Sequence, residues 1–522
     1  MYKSIRSLAS LAAASALLFY AAQAFAQTSA VKGANEQRAI AAFSRASRNP
    51  LALRAFLAAM PKGGELHFHL GGAVYAETIL QDAAEDNLCV NLAAHSLAPN
   101  AGMTNSQPAV AVCADGQVPA SAVVLDNKLR DAMIDAWSMR SFVPYASKSG
   151  HDQFFTSPLR SGTSRRHQGE WLDEVVTRAA QQNEQYLEIM TGTTSPNTNS
   201  ASTALAWNPD MAAMRDALIA RGLRNDISVS RSDLDNMESL RNQREHCNTA
   251  QATAACGVVV RYLFSVPREA PPQRAFAQML FDFEMASADP RVVGVNIAQP
   301  EDGVLSMTEY HRQMRMFQYL HSIYPKVHLS LHAGELAFGM VPPEGLKFHI
   351  REAVEIAHAE RIGHGVDIMY EDDPNQLLQE MAARHVMVEI NLTSNDEILG
   401  VTGKQHPLPL YLAAHVPIAF STDDEGVSRI DLTHEYQRAV LEFGLGYLDL
   451  KRSARTSIEH SFLPGEDLWF KPDEFTRMVS ACTAPASQTC TAFLKASEKA
   501  QQEMELEYRF EQFESPRRTS RP

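Results

Sequence analysis

The sequence predicts an α/β fold, a single (β/α)8 TIM barrel, and three observations carry that prediction. Short apolar stretches rich in β-branched residues recur along the chain, helical stretches lie between them, and the residues with most chemistry stand at the ends of the apolar stretches. The candidate strands are Glu65–Leu70, Tyr186–Thr191, Val258–Val266, Val292–Ala298, Val327–His332, Arg361–Val366, Val386–Asn391 and Pro417–Ser421. Runs such as Val258–Val266 suit parallel strands buried on both faces. Between them Trp171–Asn183, Gln273–Ala288, Met307–Ile323 and Lys347–His358 read as helices. The chain has 522 residues, 45% of them hydrophobic, a length that barrels with insertions reach as one domain.

The ends of the chain read differently. In residues 1–26, Lys3 and Arg6 precede the apolar stretch Leu8–Ala22, and Ala24-Phe25-Ala26 gives a small-x-small pattern before Gln27, as in a cleaved signal peptide. The apolar run is short for a membrane span and lacks a stop-transfer flank. An exported protein is therefore expected, periplasmic or extracellular, with no stable membrane insertion after cleavage. Residues 27–59 form an N-terminal extension, of which 33–59 has the apolar spacing of a helix, and residues 60–510 form the barrel. An insertion at about 88–128, rich in Ala, Asn, Ser and Pro, follows the first strand and is either a lid or tolerated surface structure. Residues 511–522, basic and Pro-flanked from Ser515, are expected to be disordered.

The six cysteines fall into three close pairs, Cys89 with Cys113, Cys247 with Cys256 and Cys482 with Cys490. An even count in an exported chain favours disulfides between such neighbours, although connectivity is not readable from sequence alone. The net charge is −14. Such a surface repels nucleic-acid backbones and anionic membranes, so a small, neutral ligand fits better than nucleic acid.

Four elements carry the chemistry. His67 and His69 are two apart on a strand, so both imidazoles project from one face. Leu329-Ser-Leu-His332-Ala-Gly-Glu335 ends an apolar strand in a histidine and an acid. Arg361-Ile-Gly-His364-Gly-Val sets a histidine between two glycines, and Pro417–Phe420 runs into Ser-Thr-Asp423-Asp424-Glu425. Each alone is ordinary, but all four stand where a barrel places its active site. Nitrogen and carboxylate ligands without thiolate suit Zn²⁺ with a water completing the shell.

These strings, Met60–Leu70, Ser330–Glu335, Arg361–Val366, Asn391–Asn395 and Ser421–Asp424, resemble the adenosine deaminase family of metal-dependent amidohydrolases, as an exported bacterial-type or secreted growth-factor-like member. The resemblance runs in order over roughly residues 59–440. It implies one zinc per subunit on His67, His69, His332 and Asp423. It further implies that Glu335 protonates purine N1, that His364 orients the attacking water and that Asp424 hydrogen-bonds N7. The implied reaction is hydrolytic deamination of adenosine or 2′-deoxyadenosine to the inosine compound and ammonia, which needs a carboxyl kept protonated beside N1.

Two positions depart from the family. Many members carry Asp-Gly after the His-x-His-Leu string, where this chain has Gly71-Gly72. After the fourth strand, where a glycine is common, it has Gln299, which either reaches the base or packs under the rim. These departures keep deamination of another adenine compound (adenine, AMP or a modified adenine) open. A secreted nucleoside-binding protein without catalysis is disfavoured because Glu335 and His364 are both retained.

Overall fold

The alternation of strand and helix resolves into an eight-stranded parallel sheet. The computed structural model describes residues 33–100, 111–161, 165–193 and 195–516, so the signal peptide expected at 1–26 lies outside the described residues. The first strand is β1 (Gly63–His69), and the insertion contributes β2 (Cys89–Asn91), β3 (Ser96–Ala98) and β4 (Gln117–Pro119). The remaining strands are β5 (Glu184–Thr191), β6 (Val259–Pro267), β7 (Val292–Ala298), β8 (His328–Ala333), β9 (Arg361–His364), β10 (Met387–Ile390) and β11 (Ile418–Phe420). The order is β1-β5-β6-β7-β8-β9-β10-β11, each strand parallel to its neighbour. The last strand returns to the first through a parallel bridge between Phe68 and Asp423. There the His69 N–H donates to Asp423 O at 3.0 Å and the Asp423 N–H to His67 O at 3.1 Å. The residues expected to hold the metal thus also close the barrel.

Strand alternation explains which residues face where. On β1, Leu66 and Phe68 join the apolar core while Glu65, His67 and His69 project to the other side. On β8, Leu329 and Leu331 pack outward under the helices, and Ser330 and His332 point inward. Each such buried Leu or Phe contributes about 1.5–3 kcal/mol, which leaves a one-residue slip of register strongly disfavoured.

The helices Gln168–Gln181, Pro272–Ala288, Val304–Ile323 and His349–Glu355 lie where the sequence places them. The single helix expected over 33–59 is instead two, because 33–46 is helical and Pro50–Ala59 starts anew. Pro50 cannot continue the preceding turn but suits a first helical position, and the Asn49 side chain accepts from the N–H groups of Leu51 and Ala52. The disordered tail expected from 511 is helical as far as Glu514, within the helix Glu498–Glu514. Tyr447 Oη donates to Glu514 at 2.7 Å, which fastens that turn to the helix Tyr447–Glu459, and the Phe513 ring meets Phe56 of the N-terminal extension edge-to-face at 5.2 Å. Residues 517–522 lie outside the described residues.

The insertion carries a small antiparallel sheet of order β3-β2-β4. The disulfides are Cys89–Cys113, Cys247–Cys256 and Cys482–Cys490, the local pairing expected from the sequence. Among the described residues no helix is long and apolar enough to cross a membrane.

Candidate active site

At the C-terminal ends of the barrel strands, His67, His69, His332 and Asp423 converge from β1, β8 and the turn after β11. His69 Nε2 is 3.3 Å from His332 Nε2 and 3.4 Å from Asp423 Oδ1, while His67 Nε2 is 3.6 Å from the same oxygen. Tetrahedral ligands about 2.0–2.1 Å from one zinc stand roughly 3.3 Å apart, so the spacing fits such an ion. Hydrogen bonding assigns the free lone pairs. His67 Nδ1 donates to Glu389 Oε2 at 2.6 Å, leaving Nε2 buried without a hydrogen-bond partner. His332 Nδ1 donates to Asn296 Oδ1 at 3.0 Å, which turns its Nε2 lone pair toward His69. Ser394 Oγ donates to Asp423 Oδ2 at 2.6 Å, leaving Oδ1 to the histidines. Imidazoles oriented by an outer hydrogen bond are a recurrent feature of metal centres.

The electrostatics agree with those roles. Burial, reinforced by the neighbouring histidines, holds His332 well below the usual histidine range. Burial alone opposes charge on His67, but pairing with Asp423 and Glu389 overcomes it and raises the group to about 10. Burial would also raise Asp423, yet the imidazoles of His67 and His69 beside it hold it well below the carboxylate range. The cluster thus gathers buried imidazole nitrogens around one ionised carboxylate, a donor set suited to a cation.

Glu335 and His364 stand beside it, with His364 Nε2 3.7 Å from Glu335 Oε1. Burial, then the charges of Asp423 and Glu301, push the Glu335 carboxyl well above its usual range. Burial lowers His364 to about 3, so it is neutral at physiological pH. Glu335 is fixed through its backbone, because Glu301 accepts the Gly334 N–H at 3.1 Å and the Glu335 N–H at 2.8 Å. Buried Arg268 and His349 pair with Glu301, and Arg268 also donates to the His332 carbonyl. Gly334 has φ +75°, and a Cβ there would meet Asp367 Oδ1 at 2.5 Å, so the turn admits only glycine.

Asp424 is buried with Oδ1 unpartnered, and burial beside Asp423 raises it to about 7. A Cβ at Gly72 would lie 1.7 Å from that oxygen, so this glycine admits Asp424 to the site. Gly71, by contrast, faces open space. His69, His332, Glu335, Asp423 and Asp424 line one cavity of about 470 Å³, whose apolar wall is Ile79, Phe154, Phe155, Trp171 and Met190. That volume lies in the range of small-molecule sites. A larger groove between the terminal helices, about 880 Å³, lies away from this chemistry. The roof comes from the helix Gly150–Ser161, which His151 Nε2 ties to Asp302 at 3.0 Å. No described residue of the 88–128 insertion lines the cavity.

Gln299 lines it too, with φ +91°, a left-handed conformation that favours glycine. Of its two expected placements, the side-chain oxygen takes the rim, accepting the Glu269 N–H at 3.0 Å. His364 and Asp423 share the left-handed backbone at φ +69° and +63°, as strained residues at functional sites often do.

Glu389, Asn296, Glu301, Arg268, Ser394, Asn395 and His406 carry no role in the sequence reading. For Glu389 and Asn296 a signal exists: each is a lone polar residue in an otherwise apolar strand, Met387–Ile390 and Val292–Ala298.

Comparison with known proteins follows this geometry. The family model described as adenosine deaminase matches residues 174–468, more than half of the chain, beginning after β1. An adenosine deaminase from Clostridium perfringens is 32% identical over 139 residues, 26% of this chain. The chain spans only 39% of that relative's length. Among solved structures, the adenine deaminase of Arthrobacter aurescens aligns with a TM-score of 0.50 at 17% identity, covering 77% of this chain and 94% of its own. The N6-methyl-AMP deaminase of Arabidopsis thaliana aligns at 0.51 and 20% identity, covering 79% and 94%. At such identities the likeness is one of fold. On the extent of the family match, the chain belongs to the adenosine deaminase family.

Proposed function

We propose that the chain is a zinc-dependent hydrolytic deaminase of adenine nucleosides, adenosine or 2′-deoxyadenosine. The observation that carries this reading is Glu335, a buried carboxyl held toward its protonated form on the wall of the cavity that also holds the His/Asp set. Zinc on His67, His69, His332 and Asp423 would supply Lewis-acid activation of a water at neutral pH. Glu335 gives its proton to purine N1, which interrupts aromaticity and draws electron density from C6. His364 orients the water for addition at C6. Asp424, with an unpartnered oxygen, binds N7. The water oxygen stays on C6, the C6–N bond breaks, one water proton completes the departing amine as ammonia, and the other returns to Glu335.

The aromatic and aliphatic wall suits the faces of a purine. Among the described lining residues there is no Lys or Arg to meet a phosphate, which favours a nucleoside over a nucleotide. A second reading, deamination of a different adenine compound, draws on the open space at Gly71 where many relatives place an aspartate. The three disulfides, with the pattern of residues 1–26, favour action outside the reducing cytoplasm, in the periplasm or beyond the cell.

A substrate panel on zinc-loaded protein tests this. Adenosine, 2′-deoxyadenosine, adenine, AMP and N6-methyl-AMP are each offered and ammonia release is followed. The nucleosides are expected to give the highest kcat/KM. No turnover of any purine by protein with confirmed zinc would overturn the reading.

A further inference from the structure

His364 has two ring nitrogens, and its neighbours decide which carries the proton. The one unambiguous donor in its hydrogen-bond chain is a backbone amide, since Leu408 N–H donates to His406 Nδ1 at 3.1 Å. His406 is buried, and burial lowers it to about 4, so the ring is neutral with its single proton on Nε2. That proton goes to Asn395 Oδ1 at 3.0 Å. The amide orientation of Asn395 is thereby fixed, and its Nδ2 donates to His364 Nδ1 at 2.9 Å. Asn391 Nδ2 approaches the same nitrogen at 3.4 Å. With its Nδ1 lone pair engaged by the amide donors, His364 carries its hydrogen on Nε2, the buried nitrogen without a hydrogen-bond partner that faces Glu335. Reversing the chain would set two N–H groups against each other at Leu408 and His406.

We propose that Asn395 and His406 are positioning residues, a relay that fixes the His364 proton on Nε2 and makes His364 a hydrogen-bond donor to the attacking oxygen rather than a base. The inference rests on the deaminase reading above. The relay lies outside the cavity lining, so its effect passes wholly through the tautomer and orientation of His364.

Nitrogen-15 NMR of histidine-labelled, zinc-loaded full-length protein reads the tautomer directly. A hydrogen on His364 Nε2 is expected, and one on Nδ1 in the wild type overturns the proposal whatever the variants do. Asn395→Asp replaces the donor with an acceptor and is expected to move the hydrogen to Nδ1. With zinc content unchanged, kcat should fall about 10²–10⁴-fold and KM change by less than about threefold, as for other wrong-tautomer variants. His406→Leu should lower kcat by about 10–100-fold. His406→Gln, which offers the same acceptor and donor, should restore it to within about threefold of the wild type. A merely structural role would lower thermal stability in both His406 variants without moving the nitrogen signals. If His364→Ala is inactive while Asn395→Asp keeps its kcat within about twofold, the relay alone is wrong. If His364→Ala is fully active, the deaminase mechanism itself fails.

Discussion

Two of the clusters of histidine and carboxylate among the described residues are built in opposite ways. At the barrel rim, His69 Nε2 stands 3.3 Å from His332 Nε2 and 3.4 Å from Asp423 Oδ1, and His67 Nε2 has no hydrogen-bond partner. In the second, away from the cavity, Asp473 accepts from His385 Nδ1 at 2.6 Å and from His460 Nε2 at 2.9 Å, with Glu459 beside them. Residue types alone do not separate the two. At the rim, Glu389, Asn296 and Ser394 orient His67, His332 and Asp423 from behind, so that their free lone pairs face one point. In the Asp473 cluster one nitrogen of each histidine is instead engaged by the same carboxylate, so those nitrogens face Asp473 rather than a shared cation position. A metal centre is recognised by donors held from satisfying one another.

The largest expected effect comes from removing a rim ligand. His332→Ala should lose zinc by elemental analysis and turnover to background. Chelation of the wild type should likewise lower the melting temperature, by the equivalent of about 4 kcal/mol where free zinc had exceeded its Kd 1,000-fold. Glu335→Ala separates binding from chemistry, with zinc retained and kcat down by about 10²–10⁴-fold in steady-state assays. Full activity in that variant would remove the proposed acid.

The sequence showed more of the ligand set than of its support, for physical reasons. Strand alternation forces His67 and His69 onto one face, while the end of β8 and the turns after β8 and β11 present His332, Glu335, Asp423 and Asp424 in short contiguous strings. Glu389 and Asn296 each stand alone in an apolar strand, and their meaning arises only when the closed barrel carries them to His67 and His332. His406 lies just before a short helix in no motif and reaches His364 through Asn395. Near the N-terminus, Asn49-Pro50 was a readable stop signal within an apolar period that runs on regardless.

Smaller effects sharpen the contrast further. Glu389→Gln, which weakens the support of one ligand, should reduce zinc affinity or activity by about 10–100-fold, read by competition with a chelating dye. Asp473→Asn should leave zinc content and kcat unchanged and cost only about 0–1 kcal/mol, because its His385 partner is half exposed. Burial would raise Asp473, but pairing with His460 and His385 holds it below the usual carboxylate range. A depressed carboxylate contributes stability that is present above its unfolded pKa and lost as pH falls through the folded value. Denaturation curves of wild type and Asp473→Asn should therefore differ at neutral pH and begin to converge only below about pH 4, as pH falls toward the depressed folded value.

Anomalous diffraction at the zinc edge, on crystals of the full chain grown with zinc, tests the central claim most directly. One peak is expected at the rim, about 2.0–2.2 Å from His67, His69, His332 and Asp423, with none at Asp473. No peak at the rim, or one at Asp473 alone, would contradict the account.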